Sequence, residues 1–329
     1  MAVYTEVSRD AAQALLARLN LGTLHGLEPC AGGIENTNYF CDSDAGRYVL
    51  TLFERLGADE LPYYLHLMKH LAGRGIPVPA PHADADGEIL HRVGDKPAAL
   101  VDRLPGSPCL APDIAHCEAV GAMLARMHLA GLDYPRAQPH PRGLDWWLQT
   151  APIVRPHLDA AQCALLDAEL AFQQQVAASD AARALPRGAI HGDLFRDNAM
   201  FRTAPQGDLL TGFFDFYFAG SDALLFDIAV CLNDWCADPA SGRLDEMRAA
   251  AFVRAYAAVR PLSGDEARLM PAMLRAAALR FWISRLWDLH LPRDARLLTA
   301  HDPAPFEHML RERIRTPWHP TEMATTHAT

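Results

Sequence analysis

The 329-residue sequence lacks the marks of several whole classes of protein. Its seven cysteines, at 30, 41, 109, 117, 163, 231 and 236, form an odd set without any CxxC pair. Scattered through apolar stretches, they suit reduced thiols used as small core residues, and they argue against a disulfide framework or a zinc site. No run of about 18 apolar residues occurs, so no transmembrane helix is expected. Glu6, Arg9, Asp10 and Arg18 interrupt the N-terminal stretch where a secretory leader needs continuous apolar sequence. A cytoplasmic protein is the expectation. Blocks of Lys and Arg are also missing and the formal net charge is -10, so neither nucleic acid nor an anionic membrane is an expected partner. No HExxH or similar histidine spacing points to a transition metal.

What is present reads as a folded chain. A hydrophobic content of 50% against 21% charged residues excludes general disorder, and the length favours two lobes. A short helix is expected near 8–19, then extended segments at 27–30, 39–41 and 47–53, bounded by Gly, Asp and Asn. A helix over 61–72 stops at Gly73-Arg74-Gly75. The prolines at 77 and 79 force an extended entry into another hairpin, with its turn at 84–87 and a strand at 98–101. Residues 104–108, LPGSP, mark a boundary beyond which the period turns helical: Cys117, Val120, Gly121, Leu124, Met127 and His128 recur at three- and four-residue steps. Further helices are expected near 144–157, 160–179, 223–236, 244–258 and 265–289, the last opened by a capping box at 263–266. The expected domains are a β-rich lobe at 1–104, a helical lobe at 105–320 and a disordered tail at 321–329.

The stretch AIHGDLFRDNAMF at 189–201 concentrates His191, Asp193, Arg196, Asp197 and Asn198 between flanks fit for burial. Buried charge is costly unless paired, hydrogen-bonded or bound to metal, so this is a polar network or a reaction site. A hairpin fits, with strands at 198–201 and 209–214, and it brings Asn198 and Asp215 to one end as oxygen ligands for a hard cation. Mg²⁺ commonly takes only one or two protein carboxylates and fills its shell with phosphate and water. Asp193 beside it can accept a proton from an attacking hydroxyl.

The pattern H-x-D-x-x-x-x-N, with an Asp about 20 residues later, resembles the kinase-like phosphotransferases, especially the aminoglycoside-phosphotransferase and choline-kinase group. GGIENTNYF at 32–40, YVLTLFE at 48–54, GIPVP at 75–79 and VDRLPG at 101–106 follow in that family's order. With ELPYYLHLM and ALRFWISRL added, the chain looks most like the homoserine kinases of this type. The resemblance implies a bilobal protein-kinase-like α+β fold, an antiparallel sheet lobe followed by a larger helical lobe, using ATP and Mg²⁺. It implies Asp193 as catalytic base, His191 as the residue orienting the loop, and Asn198 and Asp215 as metal ligands. Gly32, Gly33, Asn36 and Asn38 would cover the ATP phosphates, and adenine would lie near Asp102 and Arg103. Asp227 would brace the site.

The likeness fails at one place. Where the family usually has a Lys paired with a helix Glu, this sequence aligns Thr51 and Tyr64, so both halves of the ion pair are missing together. Arg55 is a substitute cation for the phosphates, unless the metal suffices. On the expected inward face of 265–289 lie Arg280 and Arg285, whose planar forks match a carboxylate. They suit an amino-acid acceptor, although pairing with Asp227 or Asp288 is the plainer reading. Trp146, Trp147 and Trp282 read as core. The activity implied is transfer of the ATP γ-phosphoryl group to the side-chain hydroxyl of L-homoserine, on the route to threonine. The alternatives are a kinase for choline, methylthioribose or hydroxylysine, a nucleotide-binding pseudokinase, and a metal-dependent hydrolase.

Overall fold

The computed structural model describes residues 5–30, 36–238, 240–291 and 301–320. Gly32 and Gly33 and the expected tail at 321–329 lie outside the described residues. Two compact units emerge: one contains the described residues up to Gly106 together with Thr211–Phe214, the other Ser107–Leu210 and the described residues from Asp215 onward.

In the first unit, α1 (Arg9–Arg18) starts at Ser8, whose hydroxyl accepts the Ala11 N–H. There follow β1 (Leu24–Pro29), β2 (Asn36–Ser43), β3 (Gly46–Phe53), α2 (Leu61–Gly73), β4 (His91–Val93) and β5 (Lys96–Asp102). The strands form one antiparallel sheet in the order β1-β2-β3-β5-β4. Leu50, Leu52, Leu100 and Tyr48 pack with Leu15 and Leu16 of α1 into a core. The turn at 84–87 forms, with Gly87 N–H donating to Asp84 O at 3.0 Å, but it does not join two strands. The β4–β5 hairpin reverses at Gly94-Asp95 instead, and the segment before 84 makes only an isolated bridge, Pro81 to Val101. Pro77, Pro79 and Pro81 have no N–H to donate to a ladder.

The chain continues through β6 (Ser107–Pro108), α3 (Ile114–Gly131), α4 (Leu144–Val154), α5 (Ala160–Ala177), α6 (Asp180–Arg183), β7 (Arg187–Ile190), β8 (Ala199–Arg202), β9 (Leu209–Phe213) and β10 (Gly220–Ala223). The remaining helices are α7 (Leu224–Trp235), α8 (Glu246–Val259), α9 (Gly264–His290) and α10 (Ala304–Arg315). β7 pairs antiparallel with β10, and β6, β8 and β9 are neighbours in a second small sheet. The helix expected over 144–157 ends at Val154 and tightens into a 3₁₀ turn, because Pro156 has no N–H to carry the α ladder on. α10 was not anticipated, although Phe306, Met309, Leu310 and Arg313 make a buried helical stripe. Arg313 within it hydrogen-bonds Asn233 Oδ1 and Gly242 O, and burial pulls its pKa down to about 10.

All of α7 is buried except Asp234. The cysteines are free thiols, five of them buried, as their apolar settings suggested. No helix among the described residues is long and apolar enough to cross a membrane.

The tightest helix contact is α3 against α8: a Cβ on Gly121 would lie 2.4 Å from the Phe252 carbonyl oxygen. Gly121→Ala must therefore push two backbones apart, and overpacking of this kind costs about 1–3 kcal/mol. Urea unfolding should show a lower midpoint for this variant, and an unchanged midpoint would mean that the two helices separate freely.

Candidate active site

The polar stretch singled out in the sequence forms a loop between β7 and β8, and α7 acts as its mould. Asp227, Cys231, Asp234 and Trp235 share one face of that helix and take up the loop's backbone groups in turn. Asp227 Oδ2 accepts the N–H of His191 at 2.7 Å and its Oδ1 that of Gly192 at 2.8 Å. Trp235 Nε1 donates to Leu194 O at 3.1 Å, and the Cys231 thiol donates to the same carbonyl. Asp234 Oδ2 accepts both the N–H and the Nε–H of Arg196, at 2.7 and 3.1 Å. Arg196 is thus a clamp from loop to helix. A helix otherwise so apolar with polar residues at 227, 231 and 234 was the signal available for it.

Gly192 has φ +75°, and a Cβ there would meet Phe218 O at 2.8 Å and His140 Nε2 at 3.1 Å, so only glycine lets the loop turn against these neighbours. His191 is buried, its ring centroid 4.5 Å from that of Phe216, and its Nδ1 accepts the Asp193 N–H at 3.3 Å.

Asp193 remains 17% exposed, and Arg280 of α9 brings Nη1 to 3.3 Å from its Oδ1. Asp193 is thus an acid that Arg280 meets. Its guanidinium is buried and lies 3.7 Å from the Phe281 ring centroid. Arg285 donates to Asp302 O at 3.2 Å and lies over Phe306.

Asn198 closes a short 3₁₀ turn just before β8, instead of beginning the strand, and its Nδ2 donates to Asp193 O at 2.8 Å. That contact leaves the amide oxygen as its acceptor. Asp215 lies just past β9 with φ +66°, one of two described non-glycine residues at positive φ. Strain of this kind concentrates at functional positions. Because β8 and β9 are successive, neighbouring strands of one hairpin, Asn198 before the first and Asp215 after the second fall at the same end.

In the first unit, Thr51 and Asn38 are register partners across β2 and β3. Thr51 is buried and its hydroxyl donates to Asn38 Oδ1 at 2.7 Å, a neutral pair at the position that the resemblance aligned with a lysine. Tyr64 is buried edge-on to Tyr63. The chain has only two lysines, and one, Lys96, pairs with Glu54 at 3.1 Å. Burial raises the Glu54 carboxyl, but hydrogen bonds from Thr37, Thr5 and Lys96 outweigh it and leave the pKa below the usual value. Asp102 accepts from the His82 ring at 2.7 Å, and Arg103 stacks on Phe40 at 3.7 Å. The N–H groups of both already donate within the unit, to Ala80 O and Arg47 O, so neither is available to an adenine edge.

Residues 26–262 match the model of the phosphotransferase enzyme family. This chain belongs to that family. The phosphotransferase is 62% identical over 318 residues to a homoserine kinase of Polaromonas naphthalenivorans, covering 97% of this chain and 99% of that one. It is 56% identical over 318 residues to a homoserine kinase of Cupriavidus pinatubonensis, covering 95% and 96% of the two chains. Among solved structures it is similar to an amicoumacin kinase in complex with AMP-PNP and Ca²⁺, with a TM-score of 0.65, 16% identity and 93% of each chain covered. It is also similar to a putative aminoglycoside phosphotransferase from Ralstonia eutropha, with a TM-score of 0.63, 17% identity, and 94% and 96% covered. These structures carry the fold: the phosphotransferase has the protein-kinase-like α+β architecture of aminoglycoside phosphotransferases, with an antiparallel sheet in the N-terminal unit and helices dominating the rest.

Asp227 is the electrostatic centre of the loop. Burial alone would raise its pKa, but the hydrogen bonds from the His128 ring and the His191 N–H hold it below the usual value. A carboxyl depressed in the folded state adds stability above its unfolded pKa of about 3.9 and loses it as pH falls through the folded value. Asp227→Asn should therefore lower stability near neutral pH and flatten the fall in stability below about pH 4. Thermal unfolding from pH 3 to 7 measures this, and parallel curves for wild type and variant would contradict it.

Proposed function

We propose that the phosphotransferase moves the γ-phosphoryl group of ATP to the side-chain hydroxyl of L-homoserine, the step that makes O-phosphohomoserine for threonine synthesis. The observation that carries this reading is identity of 51% or more, over at least 95% of this chain, to homoserine kinases from several bacteria. Asp193 is the proposed base. It is held from three sides: its N–H by His191, its carbonyl by Asn198 and its carboxylate by Arg280. So held, it can take the hydroxyl proton as the bond to phosphorus forms.

The donor set fits Mg²⁺. Asn198 Oδ1, set free by the Nδ2 contact, and the Asp215 carboxylate are hard oxygen donors, and two protein ligands leave room for phosphate oxygens and water. When bound, the ion would neutralise charge developing on the phosphates. In the first unit, Asn36 and Asn38, with Gly32 and Gly33, are the proposed ATP-phosphate residues, and Asn38 is held by Thr51. Asp102 and Arg103 are proposed to border the adenine by side-chain and surface contact, since their N–H groups are engaged.

Arg280 and Arg285 are the proposed acceptor residues. A buried guanidinium beside the base suits a substrate that carries a carboxylate a few bonds from its hydroxyl, as homoserine does. Choline, which is cationic, would meet repulsion there.

A coupled ADP-release assay over homoserine, choline, methylthioribose and hydroxylysine should give the highest kcat/KM with homoserine. Preference for another acceptor would overturn the substrate, and ATP binding without turnover would favour a pseudokinase. Asp193→Asn should lower kcat by about 10²–10⁴, and near-normal turnover in that variant would remove Asp193 from the chemistry. Arg280→Lys keeps the charge and loses the fork, so KM for homoserine should rise about tenfold while KM for ATP holds; the opposite pattern would place Arg280 with the nucleotide.

A further inference from the structure

Behind Asp227 a chain of buried polar groups runs away from the loop through three more helices. His128 of α3 places Nε2 3.1 Å from Asp227 Oδ2 and Nδ1 2.7 Å from the Tyr256 hydroxyl of α8. Arg260, at the C-cap of α8, donates Nη1 to that hydroxyl at 3.2 Å and both Nη groups to Glu266 Oε1 at 2.9 Å. Glu266 opens α9 and accepts the Ser263 N–H on its other oxygen at 2.8 Å. His128, Asp227, Tyr256 and Glu266 are all completely buried.

Donor counting gives this chain one direction. Arg260 can only donate to the Tyr256 oxygen, and the Asp227 carboxylate can only accept from the ring, so with a neutral imidazole the Tyr256 hydrogen turns to His128 Nδ1. The imidazole then carries its hydrogen on Nε2 and donates to Asp227. That carboxylate receives three donors: the ring, the His191 N–H and the Gly192 N–H. Burial holds the Tyr256 phenol well above its ordinary pKa, so the hydrogen stays on the oxygen.

We propose that Tyr256 and His128 are positioning residues of the transfer reaction: the one-way chain from the Arg260–Glu266 pair fixes the Asp227 carboxylate and thereby the backbone that carries Asp193. Neither residue touches the reacting groups. Each acts through Asp227, one residue beyond the loop, as outer hydrogen-bond partners do around metal ligands. The inference rests on reading Asp193 as the base.

Tyr256→Phe removes only the hydroxyl. In the full-length enzyme kcat should fall about three- to tenfold, the range of one hydrogen bond, while KM for ATP and for homoserine stays within twofold. His128→Leu should lower kcat further, and His128→Gln, whose amide can still donate to Asp227, should recover most of it. Nitrogen-15 spectra of the His128 ring should show hydrogen on Nε2 in the wild type and, in Tyr256→Phe, a shifted Nδ1 resonance that reports the lost hydrogen bond. A folded Tyr256→Phe with unchanged kcat, or a ring protonated on Nδ1 in the wild type, overturns the proposal. Asp193→Asn, assayed alongside, separates the two failures: if it retains turnover the base assignment is at fault, and if it does not, only the positioning chain is.

Discussion

The hydrogen bonds from α7 to the loop between β7 and β8 are the constraint on which the rest of the site depends. A loop of irregular backbone beneath a helical core would leave its N–H and C=O groups without water, at a cost of about 1–3 kcal/mol each. α7 removes that cost by offering acceptors and a donor where the loop needs them: Asp227, Asp234 and Trp235, each meeting a different stretch of backbone. The helix can do this only because it is buried on nearly every side, and its polar residues are tolerated only because the loop satisfies them. Helix and loop therefore stabilise each other, and neither set of polar residues makes sense alone.

The same logic explains the first unit's departure from the kinase pattern. An ion pair between a strand lysine and a helix glutamate is costly if one partner is lost, because the other charge is stranded. The two positions that the resemblance aligns with that pair, Thr51 and Tyr64, are neutral, and Thr51 is closed by its hydrogen bond to Asn38 within the sheet. Lys96 and Glu54 make their own pair elsewhere in the unit. Positive charge near the proposed reacting groups comes instead from α9, through the buried guanidinium of Arg280. A guanidinium keeps its charge in such a setting where an ammonium readily gives it up.

Much of this was legible in the residues, for identifiable reasons. The three-and-four spacing of Cys117 to His128 and the capping box at Ser263 are local signals, and they report α3 and α9 directly. The turn at 84–87 was equally local but misleading: a turn is written in Asp and Gly, whereas the pairing of its flanks depends on prolines that deny a ladder. α10 was missed although its stripe is present, and its Arg313 shows why: a charged residue on a buried face looks like a break in the pattern until Asn233 and the Gly242 carbonyl are seen to hold it. Asp193, Asn198 and Asp215 stood out by their spacing, whereas the role of Arg196 depends on Asp234, 38 residues away, and its own stretch of sequence does not announce that; the polar positions of the apolar α7 do.

Distance along the chain also separates what is shared within the fold from what distinguishes this member. The solved relatives at 16% and 17% identity share its architecture, so most of the residues that build the lobes are interchangeable provided that burial and period are kept. The loop is different in kind. Gly192 can only be glycine, since Phe218 and His140 close the space where a side chain would go. Asp227 must accept three hydrogen bonds at once, and Asp215 holds a backbone conformation that few residues tolerate. Such positions are fixed by geometry that packing cannot replace. Arg280 is bound by no such backbone requirement: it projects from a regular helix turn, where another side chain would fit the backbone equally well. Its constraint is one of charge: placed against the carboxylate of Asp193 and buried, Arg280 ties any change at this proposed acceptor position to the holding of the proposed base.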